Sequence, residues 1–134
     1  MKRLLIIMML ILIAGCSSSK KLTREYEKSH QLRGYASWYG KEFHKKLTAS
    51  GEVYSIRKYT AAHKTLKFGT MVKVVNLKNG NSVIVKINDR GPFVESRIID
   101  LSPKAFKKLA PLDEGVVPVK ILILDDDSTF RYKK

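Results

Sequence analysis

Residues 4–13 form an unbroken apolar block, and residues 17–33 are polar and charged with no apolar period. From Gly34 onward the chain changes to short runs with the two-residue alternation of half-buried strands. Residues 34–39, GYASWY, are small and aromatic and stop at Gly40. Residues 71–76 alternate β-branched and polar positions, residues 78–81 supply an Asn79-Gly80 turn, and residues 82–87 make the second arm of a hairpin. Residues 97–99 read as a further short strand and 117–124 as the last. Between them, Ser102 as N-cap with Pro103 at the first helical position predicts a short helix. Ala105, Phe106 and Leu109 form its apolar stripe, and Gly115 closes the region. Several short strands and one small helix in roughly 90 residues define a mainly β fold, a small barrel.

The apolar block sits in a three-part leader. Lys2 and Arg3 precede it, and Ala14-Gly15-Cys16 follow it. Residues 4–14 are far short of the ~20 needed to cross a bilayer, which favours an export signal over a membrane anchor. The ending Ile13-Ala14-Gly15-Cys16 resembles the lipobox of bacterial lipoproteins, in which the cysteine becomes the lipid-modified N-terminus. The expected organisation is a signal peptide over 1–15, a lipidated Cys16 and tether over 16–33, a barrel domain over 34–124 and a charged tail over 125–134. Ser17, where an inner-membrane retention signal would place Asp, directs the expected anchor to the periplasmic face of the outer membrane.

Charge then acquires a context. The 134 residues carry 26 Lys and Arg against 12 Asp and Glu, a formal +14, which calls for a polyanionic partner. Export makes nucleic acid the wrong polyanion and leaves an acidic envelope polymer or anionic lipid. One cysteine excludes an internal disulfide, and three scattered histidines, His30, His44 and His63, offer no metal-ligand spacing. No cofactor or metal is expected.

Ionisable residues fall among small residues and turn formers at three places: Glu52 in 48–52 (TASGE), His63 closing 59–63 (YTAAH), and Asp89 in 88–93 (NDRGPF). That composition suits loops that approach a ligand closely. Each has a plain structural reading: Asp89 as a turn residue, His63 as a core histidine, Glu52 as a surface carboxylate. Asp100, just before the helix, has another, as an acceptor for backbone donors there. Trp38 and Tyr39 read first as core aromatics and second as platforms for sugar rings.

Taken in order, GYASWYG from Gly34, TASGE from Thr48, TAAHKTL from Thr60, FGT from Phe68, INDRGPF from Ile87 and RIIDLS from Arg97 resemble the rare lipoprotein A family of bacterial cell-wall proteins. The segment DLSPKAF from Asp100 also looks like expansins. The resemblance implies a six-stranded double-psi β-barrel with one or two short helices. It implies a monomeric lytic transglycosylase, acting on peptidoglycan glycan strands with a preference for peptide-free ones, in wall remodelling and daughter-cell separation. It places the catalytic groups on Asp89, Glu52 and His63 and substrate contacts on Trp38, Tyr39, Asn88 and Arg90. The chain departs from the family pattern around Lys45, in a segment where a glycine is usual, and at Lys67, where a proline is. The C-terminal glycan-binding domain of many relatives is not expected here.

A lytic reaction needs one carboxyl that first gives and then takes a proton, the role expected of Asp89. With a reference pKa of ~3.9, Asp89 gains from a desolvated setting or a nearby anion, so Arg90 is expected to point away from it, toward Glu52 or a glycan carboxylate. Glu52 would supply that anion or steady a cationic sugar, and His63 would orient one of the acids or bind a sugar hydroxyl. Two rivals remain at this level: an inverting glycosidase, with its carboxyls ~6.5–9.5 Å apart, and an expansin-like lipoprotein that binds peptidoglycan without cutting it.

Overall fold

Alternation closes this chain on itself. The computed structural model describes residues 31–125; the leader, Cys16 and the tail beyond Asp125 lie outside them. Six strands follow in order: β1 Gln31–Trp38, β2 Thr60–His63, β3 Met71–Asn76, β4 Ser82–Asp89, β5 Arg97–Leu101 and β6 Val117–Asp125. One helical turn, α1 Pro103–Phe106, and two 3₁₀ turns, Lys41–Phe43 and Leu112–Glu114, complete the described elements. The strands form a closed barrel in the order β1-β5-β2-β4-β3-β6, with β6 pairing back onto β1. Closure leaves no free sheet edge.

The inward phase of each strand fills the interior. Val72 and Val74 of β3, Val83, Val85 and Ile87 of β4, Ile99 and Leu101 of β5, and Val117, Val119 and Ile121 of β6 belong to one buried cluster. Phe106 and Leu109, fully buried, plug it as the predicted stripe requires. Each such side chain contributes about 1.5–3 kcal/mol on burial. The helix starts as its sequence predicts, with Ser102 Oγ accepting the Ala105 N–H at 3.2 Å and Pro103 at the first position. The hairpin turn also forms where expected, Gly80 at φ 77° donating its N–H to the Asn76 carbonyl at 2.8 Å.

Two strand pairs are parallel, β1 with β5 and β2 with β4, and each carries one extra residue. In the first, Tyr35 faces Arg97 and Ala36 faces Ile99, so Ile98 is the surplus residue. An added Cβ at Gly34 would lie 2.5 Å from Ile98 Cγ2, which is why glycine stands there. In the second, Ala61 faces Ile87 and Ala62 faces Asp89, leaving Asn88 as the surplus.

Several strands differ from the pattern-based reading, β4 running on to Asp89 and β5 to Leu101. β1 begins at Gln31, three residues into the stretch assigned to the tether, because Gln31, Leu32 and Arg33 pair with Leu122, Ile121 and Lys120. β2 was not legible as a strand: four residues, all buried between β4 and β5, show no alternation.

Candidate active site

The surplus residue in β4 creates the site. Val83, Val85 and Ile87 point into the core, so uninterrupted alternation would send Asp89 inward as well. The extra Asn88 resets the phase and brings Asp89 level with Ala62. Ala62 in turn faces Asp100 across β2 and β5, and Asp100 faces Ser37 of β1. Ile99 and Leu101 on either side of Asp100 belong to the core, so this row lies on the barrel's outer face. The two aspartates thus flank one alanine methyl, with Cα atoms roughly 10 Å apart at two strand spacings.

A groove of about 640 Å³ runs over this row. Its lining includes Trp38, Tyr39, Ala62, Asp89, Arg90 and Asp100, with Phe93 and Arg97 at one side and Glu42 and Phe43 at another. Trp38 is fixed by its indole N–H on the Leu112 carbonyl at 3.0 Å. Tyr39 stacks on Tyr54 with centroids 4.4 Å apart, and Tyr54 donates its hydroxyl to the Tyr39 carbonyl at 2.9 Å. The Tyr39 hydroxyl is buried without a hydrogen-bond partner among the described residues. Burial, then the charges of Tyr54, Asp89 and Asp100, push its pKa far up, so it stays a neutral donor.

The two aspartates are held differently. Asp89 Oδ1 accepts the Ala49 N–H at 3.0 Å and the Arg90 N–H at 2.8 Å, while Oδ2 takes no hydrogen bond from any described residue. Asp100 has both oxygens engaged, Oδ1 by the Ser37 hydroxyl and Oδ2 by the Arg97 guanidinium at 3.4 Å. Its partners are side chains, not the backbone donors expected for a residue ahead of a helix.

Arg90 does turn its charge away from Asp89. The guanidinium donates to the Leu66 carbonyl at 2.8 Å and the His63 carbonyl at 3.4 Å, and covers the Phe68 ring at 3.9 Å. The expected direction toward Glu52 is therefore corrected. Glu52 pairs with Lys86 at 2.9 Å, and this bond, aided by Asn88, lowers its pKa. Glu52 and His63 are not among the residues lining the groove. His63, 5% exposed, accepts the N–H groups of Thr65 and Leu66 on Nδ1, both at 3.1 Å, and so orients a turn. Desolvation, then Arg90 and Lys64, lowers its pKa to about 4. Asn88, expected to touch substrate, is 2% exposed; its backbone carbonyl accepts the Ser50 N–H at 3.2 Å, and its side-chain oxygen is buried with no hydrogen-bond partner among the described residues.

Arg97 and Phe93 line the groove without having been singled out in the sequence, and Asp100, read there as an acceptor ahead of the helix, lines it as well. The three-residue spacing of Arg97 and Asp100 offered a signal for their pairing. Among the described residues no group of acidic, histidine or cysteine side chains could hold a metal ion.

A closed six-stranded barrel with two parallel strand pairs, each slipped by one residue, defines a double-psi barrel. A family model described as lytic transglycolase matches residues 31–121, and the chain belongs to that family. It is 52% identical over 91 residues to the endolytic peptidoglycan transglycosylase RlpA of Helicobacter pylori, covering 68% of this chain and 29% of that one. It is 53% identical over 93 residues to the probable endolytic peptidoglycan transglycosylase RlpA of Aquifex aeolicus, covering 69% and 41%. The chain thus spans well under half the length of these curated relatives. Among solved structures, a Streptomyces papain inhibitor matches at TM-score 0.60 and 27% identity, over 71% of this chain and 94% of that one. A mutant Clavibacter michiganensis expansin in complex with cellohexaose matches at TM-score 0.58 and 20% identity, over 72% and 51%, a likeness of fold.

Proposed function

We propose that the chain is a lytic transglycosylase that cleaves peptidoglycan glycan strands to 1,6-anhydromuramoyl ends, with Asp89 as its acid and base. The carrying observation is the asymmetry of the two groove aspartates: among the described residues Asp89 Oδ2 has no partner, whereas both oxygens of Asp100 are taken. Asp89 gives its proton to the departing glycosidic oxygen as the bond to C1 breaks. The C6 hydroxyl of the same muramoyl residue then closes on C1, and its proton returns to Asp89. No water enters, and the carboxyl ends as it began.

Asp100, fixed by Ser37 and Arg97, stands as a preset negative charge across the groove from Asp89 and steadies the oxocarbenium-like sugar. Trp38, Tyr39 and Phe93 offer ring faces to the apolar faces of sugars. His63 and Glu52 work behind the groove. His63 shapes the turn whose Leu66 carbonyl anchors Arg90, and Glu52 accepts the Thr48 N–H on its carbonyl at 2.8 Å, closing the loop that presents Ala49 to Asp89. The resemblance of the leader supports a lipid on Cys16, residence at the periplasmic face of the outer membrane and work in daughter-cell separation. Incorporation of labelled palmitate by the full chain, lost in Cys16→Ser, tests the anchor.

The experiment for the activity is digestion of peptide-free glycan strands by wild type and by Asp89→Asn, with masses of the products. Anhydro ends from wild type and none from Asp89→Asn support the reading. Ends carrying an added water would replace it with a hydrolase, and no release by either protein, with strand binding retained, would replace it with an expansin-like binder.

A further inference from the structure

A second cavity of about 740 Å³ adjoins the groove, sharing Trp38, Gly40 and Glu42 with it. Its floor is apolar, from Trp38, Ile56 and Leu112, and its rim is cationic, from Lys41, Arg57, Lys104 and Lys107. The four cations come from three separate stretches: the 3₁₀ turn after β1, the segment before β2, and α1 with its C-cap. None of the four pairs with a carboxylate of the described residues. Lys104 rests over the Tyr59 ring at 4.8 Å, and Glu42 is the single acid on the cavity's wall. Four like charges around one concavity repel one another, an arrangement that an anionic occupant relieves.

We infer that this cavity is a subsite for carboxylates carried on the muramoyl side arm of a strand lying in the groove. The inference rests on the peptidoglycan reading given above and adds the residues that select for the polymer's charge. Continuity through Trp38 is the reason for the assignment, because an occupant tethered to a sugar over Ala62 reaches the cavity without leaving the strand. The side arm offers carboxylates from two sources. A peptide-free strand exposes the lactyl group itself, and a peptide-bearing strand carries them further out along the stem. Chitin and cellulose, uncharged, offer none, so the cavity separates peptidoglycan from glycans of the same backbone shape.

The test uses Asp89→Asn chain, which lets strands bind without turnover, with and without Lys104→Glu/Lys107→Glu. Both lysines are exposed, so the reversal leaves the core intact. Dissociation constants are measured for peptide-free strands, for peptide-bearing strands, and for each after its carboxylates are coupled to methylamine. The expected result is about a tenfold weaker grip on one or both native strands, against less than a twofold change for the amidated ones. Whichever native strand loses affinity identifies the source of the carboxylate. Equal losses for native and amidated strands, or no loss for either, overturn the subsite while leaving the groove's function standing. Failure of every glycan to bind, with or without the reversal, overturns the peptidoglycan reading and the subsite together.

Discussion

The two parallel strand pairs of this barrel are built alike and used differently. Each slips register by one residue, Ile98 in the β1–β5 pair and Asn88 in the β2–β4 pair, and each thereby turns an aspartate to the outer face. Asp100 is then fastened by Ser37 and Arg97 within its own pair of strands. Asp89 is fastened on one oxygen only, and half of its support comes from outside the pair, from Ala49 on a loop. The backbone device supplies position, and the local partners decide whether a carboxyl is structural or reactive. A free oxygen is needed for proton traffic; a saturated carboxylate is better suited to holding charge still.

That contrast breaks most sharply at the acids themselves. Asp89→Asn should lower turnover on peptide-free strands by at least about 10²-fold, the usual scale for a lost general acid–base group. Its thermal midpoint should barely move, because the bonds it makes to Ala49 and Arg90 are exposed or half-exposed. A variant that retained more than a tenth of wild-type turnover would remove Asp89 from the chemistry and erase the asymmetry.

The second test is a pH titration of stability, and it reads the β2–β4 side alone. His63 is buried, and its folded pKa of about 4 lies below the ordinary 6.5. Between those values the unfolded chain binds the extra proton, so stability rises with pH across this window. It is fully present above about pH 6.5 and is lost as pH falls toward 4. Unfolding by denaturant at pH 5 should therefore show about 2 kcal/mol less stability than at pH 7.5 from this group. Subtracting the His63→Gln profile isolates the contribution, and two parallel profiles would refute it.

Asp100 should show the converse of Asp89. Asp100→Ala strips the Ser37 hydroxyl and the Arg97 guanidinium of their acceptor at a part-buried position, at a cost of about 1–3 kcal/mol. A double-mutant cycle with Ser37→Ala should recover part of that cost as coupling, since the two side chains form one bond. Strict additivity of the two would show that Ser37 does not hold Asp100 in solution.

How much of this was written in the sequence follows the same division. The hairpin around Asn79-Gly80, the Ser102 cap and the Ala105-Phe106-Leu109 stripe were legible because each is a local rule with a local signature. β2 was not, because Thr60-Ala61-Ala62-His63 is covered on both faces and small throughout, so neither period nor β-propensity marks it. Asp89 stood out through its Gly-Pro neighbourhood. Asp100 read as an acceptor for backbone donors ahead of the helix, and the register of β5 against β1 and β2 reveals that it faces the groove. Glu52 and His63 were legible as special but their contacts were not, since their partners Lys86, Thr65 and Leu66 are ordinary in sequence. Family resemblance supplied what spacing could not, the double-psi crossing and the reaction proposed.

The smallest expected effect concerns the loop that only the Asp89 side requires. That loop begins at Lys45, whose φ of 67° lies in the left-handed region. Its N–H reaches the Tyr54 carbonyl at 2.9 Å, Leu47 bridges Val53, and Ala49 then meets Asp89. A side chain in that conformation costs about 1–2 kcal/mol. Glycine returns part of the gain as extra chain entropy in the unfolded state, about 0.5–1 kcal/mol. Lys45→Gly should therefore stabilise the chain by roughly 0.5 kcal/mol, a rise of a degree or a few in thermal midpoint. The same substitution at Lys46, a neighbour with ordinary φ, should destabilise instead. Equal effects at the two positions would show that the loop does not hold Lys45 in the left-handed state, and with it would go the account of how Ala49 is aimed at Asp89.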